Sequence, residues 1–362
     1  MHPALQPFVF PRTGLRVKNR CVLAAMTNKQ SEETGELSSE EINWLKARSL
    51  GGFGIVTTAA AHVQEDGKGW SGEMGVWSDN HMEGLTALAT SITNNEAVGL
   101  VQLFHGGMRA PASLTGKRPV SASVNTIAED PGESRAMTEQ EVRVTIKAFA
   151  DAAARCEQAG FQGVELHGAH GYLIAQFLGK LTNRRDDDWG GDGRRRQRFL
   201  EAIVQAVRDR TSPNFLVGVR LSPELRSGGI ELADALQTLD ACLALDLDFI
   251  HVSCWDYTAT CEHEGTEQPY TTWFSQRIDG KVPLISTGGV WDSDDALHVV
   301  KQGADFVGVA RAGIAHPNWP TYLSDGMKAP KRPPFSASEL MEASLSPVFI
   351  EYMRRWDGFV VR

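Results

Sequence analysis

Eight short, mostly apolar runs recur along this chain with helix-forming stretches between them, and that alternation constrains the fold more than any other feature. The runs are Cys21–Met26, Gly54–Thr58, Val98–Phe104, Gly163–Leu166, Phe215–Leu221, Asp248–Val252, Val282–Ser286 and Asp305–Val309. Runs without strict apolar–polar alternation fit strands buried on both faces, the condition of a parallel sheet covered by helices. Helices are predicted over Glu139–Ala159, with Gly160 as stop signal, and over Arg196–Arg208, Leu232–Leu245 and Ser293–Gln302. Ser38-x-x-Glu41 and Thr138-x-x-Glu141 read as capping boxes, in which two side chains satisfy free backbone N–H groups at a helix start. Eight strands with intervening helices in 362 residues match a single-domain (β/α)8 TIM barrel. A doubly wound open sheet is the alternative. No linker divides the chain, and the Pro-rich stretch 329–335 reads as the exit into a C-terminal extension over 330–362.

Charge and cysteines narrow the class of function. Lys and Arg total 36 against 45 Asp and Glu, a net −9, the wrong sign for a chain whose main partner is a nucleic-acid backbone. No apolar run approaches the ~18–20 residues that span a bilayer, so no membrane partner is expected. The opening Met1-His2-Pro3-Ala4-Leu5 lacks the order of a signal peptide, and five cysteines without a CxxC pair read as reduced thiols. A cytoplasmic enzyme is the expectation.

A barrel carries its chemistry at the C-terminal ends of its strands. Here those ends are Ala25-Met26-Thr27, Thr58-Ala59-Ala60-Ala61, Gln102-Leu103-Phe104-His105, the run from His167 to Tyr172, Arg220, His251-Val252-Ser253, Thr287-Gly288-Gly289 and Ala310-Arg311. After strands seven and eight, Gly288, Gly289, Ala310 and Arg311 offer backbone N–H groups and a guanidinium where such barrels bind phosphate. Either loop alone reads equally as a tight turn; the two together point to a phosphate. His167-Gly-Ala-His170-Gly-Tyr172 places two imidazoles and a phenol in one Gly-containing turn. Imidazole N–H groups can hold an oxygen gaining negative charge, and a phenol can supply a proton. A histidine pair bonded to backbone, or a metal site completed by Asp256, are the competing readings. The charged block from Asn183 to Arg196 reads by composition as a solvated loop.

Taken together, these residues resemble the Old Yellow Enzyme family of FMN-dependent oxidoreductases. The resemblance runs from Leu15-Arg16-Val17-Lys18-Asn19-Arg20 to Arg311-Ala312-Gly313 and includes His167-Gly-Ala-His-Gly-Tyr-Leu173, Gln176-Phe177-Leu178 and Asn183-Arg184-Arg185. It implies a (β/α)8 barrel holding FMN non-covalently, reduced by NADPH or NADH, with an electron-poor alkene or a quinone as acceptor. By the resemblance, Ala25, Met26, Thr27, Ala59, Gln102 and Arg220 would meet the flavin ring, with Thr27 near its O4 edge and Arg220 near N1–C2. Gly288, Gly289, Ala310 and Arg311 would meet the phosphate. His167 and His170 would bind the substrate oxygen and Tyr172 would protonate the α-carbon.

Three departures stand out. The first strand ends Ala25-Met26-Thr27 where the family usually has Pro-Met, Asn28-Lys29 replace an aromatic found in bacterial relatives, and His105-Gly106-Gly107-Met108-Arg109 replaces His-x-Gly-Arg. The leading expectation is reduction of activated alkenes, α,β-unsaturated carbonyl or nitro compounds. An NADH oxidase, quinone or flavin reductase is the near alternative; a metal-dependent hydrolase using His167, His170 and Asp256, or a non-catalytic binding barrel, are the distant ones. The C-terminal extension, with Arg354-Arg355-Trp356, is a candidate contact in a homodimer or larger homo-oligomer.

Overall fold

A computed structural model describes residues 1–128, 131–324 and 326–361. Eight parallel strands close into a barrel: β1 (Cys21–Leu23), β2 (Ile55–His62), β3 (Val98–Phe104), β4 (Gly163–Gly168), β5 (Leu216–Leu221), β6 (Phe249–Ser253), β7 (Leu284–Thr287) and β8 (Phe306–Val309). β1 completes the ring, pairing with β8 through Val307↔Cys21 and with β2 through Val22↔Ile55. Every residue of these eight strands is buried, because interior side chains face one another and exterior ones face helices. The principal helices are α1 (Ser39–Leu50), α2 (Met82–Thr93), α3 (Glu139–Gln158), α4 (Gly193–Arg210), α5 (Leu232–Leu243), α6 (Tyr270–Ile278) and α7 (Ser293–Lys301). The open-sheet alternative is excluded by the closure.

Several boundaries differ from expectation for local reasons. β1 stops at Leu23 and not at Met26, and the Ala25 carbonyl instead accepts a bond from Arg220 Nη1 at 3.2 Å. β2 runs on past Thr58 to His62, through a register shift between Thr57 and Ala60. Thr138 and Glu141 form the reciprocal capping box of α3. At α1, Ser38 accepts from the Glu41 N–H, but the Glu41 carboxylate does not return the bond. It is fully buried and accepts from Asn28 Nδ2 at 2.8 Å and from the Ser31 hydroxyl.

The N-terminal end of the barrel is plugged, so the opposite end alone is free to bind. The short antiparallel strands Phe8–Val9 and Arg16–Val17 bring Phe8 and Phe10 onto Phe306, with ring centroids 4.8 and 5.6 Å away. Gly218 makes room for Phe249 in this cluster: a Cβ at Gly218 would sit 2.1 Å from the ring.

The chain beyond Pro334 folds back over its own barrel as α8 (Ala337–Glu342) and α9 (Pro347–Met353). α9 buries Phe349, Ile350 and Met353, and Phe349 meets Trp44 of α1 edge-on at 5.3 Å. Among the described residues no helix is long and apolar enough to cross a membrane.

Candidate active site

The open end of the barrel holds a chamber of about 340 Å³ that continues into an outer groove of about 1000 Å³. Ala25, Met26, Thr27, Gln102 and Arg220 line the chamber from one side, and Gly288, Gly289, Ala310 and Arg311 from another. His167, His170 and Tyr172 form a third wall. Ala59 does not line it; Ala60 does, because the register shift in β2 changes which alanine faces the interior.

The turn after β4 is strained and anchored. His170 adopts φ +61°, a left-handed conformation costly for a non-glycine residue. Three bonds hold it: its N–H donates to Ser222 Oγ at 3.1 Å, its carbonyl accepts from Arg109 Nη1 at 2.7 Å, and its Nε2 lies 2.8 Å from Ser253 Oγ. The His167 ring stands 4.9 Å from the His170 ring and 5.0 Å from that of Tyr172. The Ala169 N–H points at His167 Nδ1 from 3.4 Å, which leaves Nε2 as the protonated nitrogen. Burial, with the charges of Arg220 and Arg109 adding to it, holds both imidazoles well below their usual pKa, so they are neutral donors at neutral pH. Burial pushes the Tyr172 phenol above 10.0 against the pull of Arg109, so it keeps its proton. Neither His167 Nε2 nor the Tyr172 hydroxyl has a hydrogen-bond partner among the described residues.

Beneath this wall lies a polar chain that joins the strand-end residues Gln102, His251 and Thr287 through Glu165, which no local sequence signal announces. Gln102 Nε2 donates to Glu165 Oε1 at 2.6 Å, Glu165 Oε2 meets His251 Nδ1 at 2.6 Å, and His251 Nε2 meets Thr287 Oγ1 at 2.6 Å. Burial opposes the charge on Glu165, but His251, Arg220 and Gln102 outweigh it and hold the carboxyl below its ordinary value. Burial holds His251 below its usual value, and a neutral ring suffices, donating to Glu165 and accepting from Thr287. The chain fixes the orientation of Gln102 and Thr287, both of which line the chamber.

The same chamber has donors suited to both parts of a flavin nucleotide, its ring and its phosphate. Arg220 is buried, donates to Ala25 O and Ser253 Oγ, and has an Nε–H with no partner, a donor waiting for an acceptor in the chamber. Gly289 adopts φ +75° with nothing within 4 Å of where a Cβ would stand, and a Cβ at Gly288 would meet the Cys254 carbonyl at 2.6 Å. Such backbone lets N–H groups approach an anion closely.

Residues 5–329 match the NADH:flavin oxidoreductase / NADH oxidase family. The chain belongs to this family. It is 36% identical over 331 residues to the probable NADH-dependent flavin oxidoreductase YqiG of Bacillus subtilis, covering 90% of this chain and 88% of that one. It is 34% identical over 320 residues to the NADH:acrylate oxidoreductase of Vibrio harveyi, covering 85% of this chain but only 32% of that longer protein. The old yellow enzyme homologue from Zymomonas mobilis superposes with a TM-score of 0.79 at 21% identity, over 95% of this chain and 96% of that one, and shares the fold. This flavin oxidoreductase therefore uses FMN, with NADH or NADPH as reductant.

Other lining residues were given no place in the site by the reading of the sequence. Trp70, Ser253, Trp255, Tyr352, Met353 and Trp356 all reach the chamber. Ser253 ends β6 and was read as a strand end without a role, and Trp255 follows two residues on; Tyr352 and Trp356 sit four apart in the C-terminal segment, which read as a candidate subunit contact. Asp256, the third ligand of the hydrolase reading, turns back to accept from Thr258 N and Oγ1 at 2.8 and 2.7 Å. Among the described residues no three His, Cys, Asp or Glu side chains gather as a metal site. The Asn183–Arg196 block is an ordered clamp: Asn183 Nδ2 bonds the carbonyls of Phe177 and Trp189, and Arg185 Nη1 those of Ala122 and Met137.

Proposed function

We propose that this flavin oxidoreductase reduces the C=C bond of electron-poor alkenes, α,β-unsaturated carbonyl or nitro compounds. FMN, when bound, supplies the hydride that NADH or NADPH first delivers. Ala25, Met26, Thr27, Gln102 and Arg220 are assigned to its ring, with Ala59 a backbone neighbour behind Ala60, and Gly288, Gly289, Ala310 and Arg311 to its phosphate.

The observation that carries the reading is the convergence of two neutral imidazoles and a protonated phenol on one wall, with ring centroids about 5 Å apart and polar atoms left without protein partners. His167 offers Nε2–H. Arg220 fills one acceptor position of Ser253 Oγ, and with the Ser253 proton directed to His170 Nε2, His170 keeps its proton on Nδ1. Both then donate to the acceptor oxygen, drawing electrons from the alkene and holding the negative charge that develops there. Tyr172 delivers its proton to the α-carbon. The strained, triply anchored backbone at His170 keeps these donors in place before substrate arrives. Similarity to an enzyme named for acrylate, itself an alkene, is consistent with this chemistry.

Rapid mixing of the anaerobically reduced enzyme with cyclohexenone and, separately, with a quinone tests it. Fast reoxidation by the enone with cyclohexanone as product supports the reading. Reoxidation by quinone or oxygen alone would establish the oxidase or quinone-reductase alternative.

A further inference from the structure

Besides Arg226, which is paired with Glu224, the outer groove carries three cations to which the reading above assigns no ligand, although Arg109 also anchors the His170 carbonyl. Arg109 lies over the Tyr172 ring, its Cζ 4.5 Å from the centroid. Lys29 and Arg355 share the Tyr352 ring, 5.5 and 5.1 Å from its centroid, and Arg355 Nη1 donates to the Tyr352 hydroxyl at 3.3 Å. Lys29, Arg109 and Arg355 all line the groove, and Tyr172 and Tyr352 line both it and the inner chamber.

None of the three makes an ion pair with a carboxylate among the described residues; their polar contacts are a carbonyl and a phenol. The carboxylate that does line the groove, Glu224, is occupied by Arg226 Nε and the Tyr270 hydroxyl, each at 2.5 Å. Aromatic faces orient a cation without neutralising it, so the full charge remains available to a ligand. In a chain of net −9, a single opening lined by uncompensated cations concentrates anions at the mouth.

We propose that Lys29, Arg109 and Arg355 form an anion-binding rim, and that the acceptor is an α,β-unsaturated carbonyl compound that also carries a carboxylate. The inference rests on the alkene-reductase reading and names the substrate class. The two groups have separate duties. A carboxylate withdraws electrons from an alkene less than a neutral ketone carbonyl does, so where a substrate carries both, the neutral carbonyl meets His167 and His170 and the carboxylate reaches out to the rim. Tyr172 sits between them, in contact with His167 on one side and Arg109 on the other.

The test compares β-acetylacrylate with its primary amide, two enones of the same shape that differ by one charge, as oxidants of the reduced holoenzyme. Wild type favours the acid, and added salt shrinks the preference. In the Lys29→Gln/Arg109→Gln/Arg355→Gln variant the acid-to-amide ratio of second-order rates falls ~10- to 100-fold, as expected for charge-assisted bonds. Using the ratio cancels any common loss from moving Arg109 off Tyr172, and flavin absorbance reports that the variant is folded and loaded. Lys29→Arg/Arg355→Lys, which preserves charge, keeps the ratio. An unchanged ratio in the triple Gln variant overturns the rim. A loss confined to NADH or NADPH binding in the reductive half-reaction also overturns it, since the cations would then serve the nicotinamide phosphates. If neither acid nor amide reoxidises the enzyme while a quinone does, the alkene-reductase reading itself falls, and the rim with it.

Discussion

Glu165 Oε2 lies 2.6 Å from His251 Nδ1, and each side chain has only 1% of its surface exposed. This pair sits under the candidate flavin site and supplies the negative charge nearest the buried Arg220. Glu165→Gln keeps the shape and removes the charge. Breaking a buried charged cluster this way costs about 3–5 kcal/mol, read as a lower urea midpoint. Because the folded carboxyl is held below its ordinary 4.5, its stabilisation is complete above that value and is lost as pH falls through the folded pKa. The variant should therefore lose less stability than wild type on acidification, and an equal loss would show that Glu165 carries no charge in the fold.

Glu73 behaves in the opposite sense. It is fully buried, accepts from the Gly69 N–H at 2.8 Å, and stands 3.0 Å from His62 Nδ1. Burial raises its carboxyl well above 4.5 and lowers His62 to about 3, so between 4.5 and the raised pKa a protonated acid stands beside a neutral His62. The folded state then binds the extra proton, and stability falls as pH rises from 4.5 toward the folded pKa, with a slope of about 1.4 kcal/mol per pH unit. Glu73→Gln mimics the protonated acid and should flatten that slope, making the variant the more stable protein at pH 8 in thermal melts. Since Glu73 shapes the loop bearing Trp70, an unaltered slope would mean that the loop holds an ionised carboxylate.

Tyr172→Phe preserves the ring that packs on Phe104 at 4.5 Å and removes the acidic hydrogen. Enone reduction in the oxidative half-reaction should fall ~10²–10⁴-fold. Quinone turnover, which needs no proton placed on carbon, should stay within about twofold of wild type. Undiminished cyclohexenone reduction would remove Tyr172 from the mechanism.

His167→Ala should spare flavin reduction by NADH or NADPH and slow alkene reduction ~10²–10³-fold. Because burial keeps this imidazole neutral, wild-type alkene reduction should show no break attributable to His167 between pH 6 and 8. Equal losses in both half-reactions would reassign the residue to the nicotinamide or to the fold.

Arg311→Ala should weaken FMN retention through dialysis about tenfold, the lower end for a charge-assisted bond, since Arg311 is exposed and screened. Unaltered retention would take Arg311 out of the phosphate site.

Local patterning determined the eight strands, because burial on both faces writes itself as a contiguous apolar run such as Val98–Phe104, whose bounds match the structure. The His167–Tyr172 turn was legible for the same reason: its chemistry and its spacing lie within six residues. Tertiary structure decided what distance in sequence conceals. Glu165 read as an ordinary strand residue and His251 as a strand end without a partner, and only the register His167↔Arg220 and His251↔Arg220 sets their strands on either side of β5 and turns both side chains inward. Ala60 displaced Ala59 from the chamber through a bulge that a run of alanines cannot signal. Lys29, Arg109 and Arg355 stood out only as two departures from the family pattern and a candidate subunit contact, three segments that nothing in the sequence relates to one another. They became one rim when α9 buried Phe349 against Trp44 and brought the C-terminal aromatics over the barrel mouth, since apolar burial is non-directional and pairs segments that no local spacing relates.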